Sequence, residues 1–311
     1  MDKIGVLWDN EVSWEGGKPF EEDYVNQTYR LFSQLAAEED IRLVIGKYTW
    51  YDEGGIEKAY ILENGEWTKK ENVNLNGVFD KFHFDEETKE LKKNVNSRIG
   101  ILNSPELEEI CKDKLLTYKK FPDRIPETKK ASEQNIKQML EKHGKTVLKP
   151  RYAFGGKGIH VLESFDEAPN VDKEAYIVQR FIDSSKGIEG LVEGFHDLRA
   201  IMVDGEMKGS YLRFNEGRAV SNVAQGGKKE AVEKQEFPEE ALKIAQEVSD
   251  ELEYSPSLFS VDFFYDAEGS PWIVELNSKP GLNFYGEEEL RRQVEPVMKG
   301  LVQAFKQIAD N

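Results

Sequence analysis

Short apolar runs at Lys3–Trp8 (KIGVLW) and Ile41–Tyr48 (IRLVIGKY) flank a stretch in which Phe20, Tyr24, Leu31, Phe32 and Leu35 recur at helical spacing. The runs predict strands, and the recurrence predicts an amphipathic helix from Phe20 to Glu39. Ala59–Lys69 reads as a hairpin around Glu63-Asn64-Gly65, Val73–Phe84 as a further strand and Thr88–Arg98 as a short helix. This strand–helix–strand order predicts a small α/β domain over residues 1–100. Ile101–Glu106 reads as a connector that opens a helix, with Ser104 as cap and Pro105 as first helical residue. A helix from Ser132 to His143 follows, with Ser132 as its cap. Strands are expected at Thr146–Pro150, Ala175–Ile182, Leu198–Val203 and Met207–Phe214, and helices at Pro238–Glu253 and Glu287–Ile308.

The strongest alternation lies in Phe259–Leu282 (FSVDFFYDAEGSPWIVELNSKPGL), two strands joined by a turn at Asp266–Ser270. Side chains alternate faces along a strand, so Glu275 and Asn277 point one way, and Asp262 joins them from the partner strand if the connecting loop has an even number of residues. Phe263, Tyr265, Trp272, Val274 and Leu276 are expected on the other face. Three convergent oxygen-bearing side chains are costly unless a cation neutralises them, and hard oxygen donors suit magnesium. Taken alone, the same pattern fits an ordinary half-exposed hairpin.

Other stretches carry weaker chemistry. Lys149-Pro150-Arg151-Tyr152-Ala153-Phe154-Gly155-Gly156-Lys157-Gly158 places lysines and glycines around a strand-to-strand turn, where backbone amides can approach an anion. It is not a P-loop, because no Ser or Thr follows the lysine and no helix starts there. Lys114 by itself reads as a solvated helix residue, and Ala175–Asp183 as a core strand or a hinge with free backbone groups. Asp197 and Arg199 point alike on one strand, Arg213 sits on the next, and Asn222 precedes Gly226-Gly227. Two arginines aimed at one place suit a transferring phosphoryl group or an acyl phosphate.

Composition narrows the class. The 311 residues suffice for two or three subdomains, and a formal net charge of -17 opposes general binding to nucleic acid or anionic membranes. The single cysteine, Cys111, excludes an internal disulfide and fits a reducing compartment. No signal-like apolar core or 18-residue apolar run is present, so a cytoplasmic location is expected. The four histidines, His83, His143, His160 and His196, show no metal-ligand spacing.

Read in order, Lys114, TVLKP with its glycine loop, IVQRFI, HDLRAIMVDGE, SNVAQGG and VDFFYD…WIVELNSKPG resemble the ATP-grasp superfamily, nearest its glutathione synthetase and RimK-like branch. The resemblance covers roughly residues 100–305. It implies an α/β (α+β) ATP-grasp fold in which two lobes clamp ATP between antiparallel sheets. The implied division is an N-terminal α/β domain over 1–100, a small lobe over 101–182 and a large lobe over 183–311. By the same resemblance Lys114 and Lys149 hold nucleotide phosphates, and the loop Gly155, Gly156, Lys157 and Gly158 closes over them. Backbone at Gln179, Arg180, Phe181 and Ile182 takes the adenine, and Asp197, or Asp183, takes ribose hydroxyls. Asp262, Glu275 and Asn277 bind two magnesium ions, for which manganese can substitute. Arg199, Arg213 and Asn222 face the γ-phosphate and the acyl phosphate.

The activity so implied joins a small-molecule or peptide carboxylate to an amine, and homo-oligomers are common in that family. Three departures bear on substrate and nucleotide: Gly187–Phe195 lengthens the stretch before Asp197, Arg180 stands where many relatives carry an acidic or amide residue, and the first hundred residues match no motif of the family. An ATP-grasp kinase acting on a hydroxyl and a non-catalytic nucleotide-binding module are the competing readings.

Overall fold

The computed structural model describes residues 1–153, 155–214 and 228–310. Asn222 lies outside the described residues. Three sheets follow one another along the described chain.

The first contains β1 (Asp2–Trp8), β2 (Ile41–Lys47), β3 (Tyr51–Asp52), β4 (Gly55–Glu63), β5 (Glu66–Asn74), β6 (Gly77–Asp80) and β7 (Ile101–Leu102). Its order is β3-β4-β2-β1-β6-β7, with β5 beside β4. β2, β1, β6 and β7 run parallel, which demands crossovers. Helix α1 (Asp23–Glu38) supplies the one from β1 to β2 and α2 (Glu86–Arg98) the one from β6 to β7, while β3 to β5 lie between β2 and β6. Ile101–Leu102 is thus a strand paired with Val78 and Phe79, where the sequence read as a connector. Two apolar residues are too short a run to signal a strand, and only the waiting edge of β6 makes them one.

The second sheet holds β8 (Thr128–Lys130), β9 (Thr146–Pro150), β10 (His160–Leu162) and β11 (Tyr176–Arg180), all antiparallel, in the order β10-β9-β11-β8. Helices α3 (Pro105–Lys112) and α4 (Lys114–Lys120) precede it, and α5 (Glu133–His143) packs on it. Local caps behave as the sequence predicts: Ser104 accepts from the Leu107 amide, and Ser132 from that of Asn135 at 3.1 Å.

The third sheet is antiparallel, β14 (Lys228–Ala231), β13 (Glu206–Phe214), β12 (His196–Val203), β15 (Leu258–Tyr265) and β16 (Pro271–Asn277), in that spatial order. One face buries Leu198, Ala200, Met202, Val261 and Phe263 under helix α6 (Glu239–Leu252). On the other face, helix α7 (Glu288–Ala309) covers Ile201, Val203 and Leu258. The same core continues to Ile4, Ile41 and Leu43 of the first sheet, so α7 is wedged between two sheets. Its apolar stripe, Leu290, Val294, Val297, Leu301, Phe305 and Ile308, follows helical spacing. Beyond α7, the remaining part of this face is free to carry polar chemistry.

The wedge is tight at Gly77, where an added Cβ would lie 2.4 Å from Ile308 Cγ2 and 3.1 Å from Ile4 Cδ1. Gly77→Ala is expected to destabilise by about 1–3 kcal/mol through overpacking. A urea midpoint matching the parent would show that the end of α7 yields freely. No described helix is long and apolar enough to cross a membrane.

Candidate active site

Side chains of the second and third sheets together line a cavity of about 340 Å³. From the third sheet comes a row in register across four strands: Tyr211 opposite Arg199, Arg199 opposite Asp262, Asp262 opposite Glu275. A parallel row sets Lys229 opposite Arg213 and Arg213 opposite Asp197. Cross-strand neighbours on one face are close enough to touch, so the register itself assembles the site.

Asp262 is buried, and Arg199 grips it with both faces of its fork: Nε donates to Oδ1 at 2.6 Å and Nη2 donates to Oδ2. Arg213 Nη2 adds a bond to Asp262 Oδ2 at 2.7 Å and a second to Asp197. Burial pushes the Asp262 pKa up, but the two guanidinium groups outweigh it, and the carboxyl sits below the ordinary aspartate value. Asp197 goes the other way. Burial, only partly offset by Arg213, raises it to about 7. Arg199 Nη1 also donates to the Tyr211 hydroxyl at 2.9 Å.

The hairpin differs from its sequence reading at one point. A bulge between Asp262 and Phe263 pairs Phe263 with Ile273, so Ile273 enters the core and Val274 is the extra residue. Val274 therefore lines the cavity, and Trp272 leaves the apolar face to lie under the Arg180 guanidinium at 4.3 Å. One inserted residue reverses the alternation on one side of it, and no periodicity shows where it falls. Glu275 and Asn277 keep the orientation expected of them and line the cavity with Asp262.

On the facing sheet, Val147, Lys149 and Gln179 point inward. Lys149 Nζ donates to the Val274 carbonyl at 3.3 Å. Burial, reinforced by nearby Lys114, lowers its pKa to about 7. Lys114 is likewise buried, with Nζ 2.5 Å from the Ala153 carbonyl and 4.0 Å from Glu275 Oε1. Its position is built by Asp113, which caps α4 at the Leu115 amide and holds Arg151 Nε at 2.6 Å.

Gly155, Gly156 and Gly158 have φ of +80°, +72° and +72°, which favour glycine, and Gly155, Gly156 and Lys157 line the cavity. Gly158 is not among the lining residues; it packs behind the loop, where a Cβ would meet the Tyr176 hydroxyl at 2.9 Å. Gln179, Arg180, Phe181 and Ile182 form one wall, with Val147, Ile159, Val161 and Phe264 making an apolar slot beside it. Asp183 does not reach the cavity. It is exposed, and its carboxylate accepts from the Ser185 amide at 3.0 Å.

Sequence reasoning missed a buried charge cluster next to the site. Lys92 pairs with Asp80 and, at 2.5 Å, with Glu108, while Lys279 reaches Asp80 at 2.6 Å and Glu108 at 2.7 Å. Lys279 follows Asn277 by two residues, so the cluster ties the site hairpin to the end of β6. Tyr211 and Lys229 were missed too. Tyr211 could have been found two residues before Arg213, but Lys229 lies on a strand that no pattern marks.

Two facing antiparallel sheets with this polar face define an ATP-grasp fold. The structure superposes on D-alanyl-alanine synthetase A from Vibrio cholerae with a TM-score of 0.64 at 16% identity, covering 100% of this chain and 99% of that one. It superposes on an ATP-grasp RimK domain protein from Sphaerobacter thermophilus with a TM-score of 0.62 at 14% identity, covering 97% and 98%. Residues 113–262 match the family model of the prokaryotic glutathione synthetase ATP-grasp domain. The tetrahydromethanopterin:alpha-L-glutamate ligase of Methanocaldococcus jannaschii is 28% identical over 64% of this chain and 67% of its own length. The other curated relatives, glutathione synthetases and a coenzyme gamma-F420-2:alpha-L-glutamate ligase, match over only 34% to 46% of theirs. Residues 113–262 are thus similar to the ATP-grasp domain of prokaryotic glutathione synthetase, and the chain shares the ATP-grasp fold of the two solved structures.

Proposed function

We propose that the protein is an ATP-dependent ligase that joins a carboxylate to an amine through an acyl phosphate. The observation that carries this reading is the cavity itself, with Lys114 and Lys149 on one side and Asp262, Glu275, Asn277, Arg199 and Arg213 on the other. In it, ATP lies between the sheets with its base in the apolar slot beside Gln179–Ile182. Lys114 and Lys149 bind its phosphates under the glycine loop, and Asp197 lies toward the ribose. The lobes follow the proposed division at 1–100, 101–182 and 183–311, with α7 packing back on the first sheet.

Asp262, Glu275 and Asn277 offer two carboxylates and an amide oxygen at one end of the cavity, hard donors that fit magnesium, or manganese in its place. That ion, bound there, supplies neutralisation of phosphate charge. The carboxylate oxygen of the substrate attacks the γ-phosphorus, and the bond to the β-γ bridging oxygen breaks to release ADP. The amine then attacks the acyl carbon, loses a proton and expels phosphate. Arg199 and Arg213, held rigid by Asp262 and Asp197, stabilise the charge that develops on the phosphoryl and acyl oxygens.

ADP and phosphate release from magnesium-ATP, measured with amino acids and short acidic peptides singly and in pairs, tests the reading. Phosphate release that needs one carboxylate plus one amine supports it. ADP with a phosphorylated product would instead establish a kinase, and no binding of ATP would overturn the assignment altogether.

With the Lys149 pKa lowered to about 7 by burial, its charge is present below that pH and lost above it. ATP affinity is therefore expected to fall as pH rises from 6 to 9, with proton uptake on binding near pH 8. Lys149→Met should bind ATP more weakly at pH 6 and show a flatter profile. Isothermal titration in buffers of different ionisation enthalpy measures both effects, and equal affinities for parent and variant at pH 6 would remove Lys149 from the phosphate site.

A further inference from the structure

The hairpin that carries Glu275 and Asn277 is held at its site end by groups from outside the third sheet. Its ladder closes on the pair Ser260 and Asn277. Two residues before Ser260, a side chain takes the backbone groups of Leu258. Asn103 Oδ1 accepts from the Leu258 amide at 2.7 Å, and Asn103 Nδ2 donates to the Leu258 carbonyl at 2.7 Å. The same Nδ2 donates to the Ser278 carbonyl at 2.8 Å, so one buried carboxamide bonds both strands of the hairpin. Asn103 directly follows β7 and precedes the Ser104 cap of α3, and both neighbours fix where it stands. Its φ of +66° is a conformation that asparagine tolerates better than most side chains.

The next residue is held as well. Lys279 Nζ donates to Asp80 Oδ2 at 2.6 Å and to the Phe82 carbonyl, and lies 2.7 Å from Glu108 Oε1. Asp80 ends β6 and Glu108 lies on α3, so these anchors too belong to elements outside the hairpin. The backbone amide of Lys279 donates to Asn277 Oδ1 at 2.9 Å. That amide and the Ser278 carbonyl are the two ends of one peptide unit. A peptide is planar, so fixing its carbonyl on Asn103 fixes the direction of its N–H. The N–H in turn fixes which atom of the Asn277 carboxamide is the oxygen-bearing one on that side, and the oxygen keeps a second lone pair. Asn277 lines the cavity.

We propose that Asn103 and Lys279 are positioning residues for the proposed metal ligand Asn277. They act through the Ser278–Lys279 peptide, so that the edge of the first sheet sets the metal affinity of the site. This rests on the metal ligands assigned in the ligase reading and deepens it.

Manganese binding by the full chain in the presence of ADP tests it, read by electron paramagnetic resonance against ADP alone, with no turnover required. Asn103→Gly keeps the positive φ and removes all three bonds. It is expected to bind manganese about tenfold more weakly than the parent, with ADP affinity in EDTA, measured by calorimetry, unchanged within about twofold. In an Asn277→Ala background, Asn103→Gly should cause no further loss, because the residue through which it acts is gone. Lys279→Met combined with Glu108→Gln keeps the buried cluster neutral and frees the same peptide from its other side, so a similar loss is expected. A clamp that serves only the fold would lower urea midpoints and leave the manganese affinity of the folded protein alone. Parent-like manganese affinity in folded Asn103→Gly, an equal loss of ADP affinity in EDTA, or a full further loss in the Asn277→Ala background overturns the proposal and leaves the nucleotide site intact. If Asn103→Gly does not fold, by near-ultraviolet circular dichroism, the Lys279 variant decides by the same readings. A parent that binds no manganese with ADP overturns the metal site itself and this inference with it.

Discussion

Glu275→Gln is expected to lower ATP turnover by about a thousandfold or more while leaving the fold almost unchanged. The two effects separate because Glu275 sits at the cavity edge, with its side chain 24% exposed and its nearest cation, Lys114, 4.0 Å away. A loose, partly solvated pair of this kind contributes about 0–1 kcal/mol to stability. As a proposed metal ligand, the same carboxylate contributes several kcal/mol to neutralising phosphate charge, and about 4 kcal/mol corresponds to three powers of ten in rate. Asp262→Asn should behave differently. It would leave Arg199 and Arg213 buried without their shared carboxylate, so stability and turnover should fall together. Steady-state ADP release and urea midpoints on both variants decide the matter. Turnover within tenfold of the parent in Glu275→Gln would remove that residue from the metal site.

Lys92→Met should cost about 3–5 kcal/mol of stability, although Lys92 touches neither cavity nor proposed substrate. Lys92, Asp80 and Glu108 are essentially inaccessible to solvent. Without Lys92, Lys279 alone would face two buried carboxylates. Glu108 already has a raised pKa, from burial first and from Asp80 next, and loss of Lys92 should raise it further. A carboxyl whose folded pKa lies above its unfolded value stabilises below the unfolded value, and that contribution is lost as pH rises through the folded one. The variant should therefore fall further behind the parent at pH 8 than at pH 5. Glu108→Gln in the same chain should restore part of the loss by removing the surplus charge. A urea midpoint within about 1 kcal/mol of the parent at pH 8 would show that methionine packing against Phe82 and Phe84 replaces the ion pairs outright.

Much of the architecture was legible along the chain because its causes are local. A serine at the residue before a helix caps it whatever lies beyond, as Ser104 before Pro105 and Ser132 before Glu133 do here. Alternation placed Glu275 and Asn277 on one face, because a strand has no other way to dispose neighbouring side chains. The ordered motif set carried the ATP-grasp resemblance. Asp183 shows the limit of such reasoning. It follows the hinge in sequence, but the chain turns its carboxylate outward onto the Ser185 amide.

By itself, then, the sequence determined the helices and most strands, the orientation of Glu275 and Asn277 and the resemblance to ATP-grasp proteins. These depend on hydrogen bonds and steric preferences spanning a few residues. Tertiary structure alone decided the bulge that sends Val274 and Trp272 to the cavity side and the pairing of Arg199 with Asp262, 63 positions away. It also decided the union of Asp80, Lys92, Glu108 and Lys279 into one buried cluster, and the exposure of Lys229 to two arginines. Each of these is a contact between charges or strands distant in sequence. Its energy depends on register and burial, which exist only once the sheets have closed.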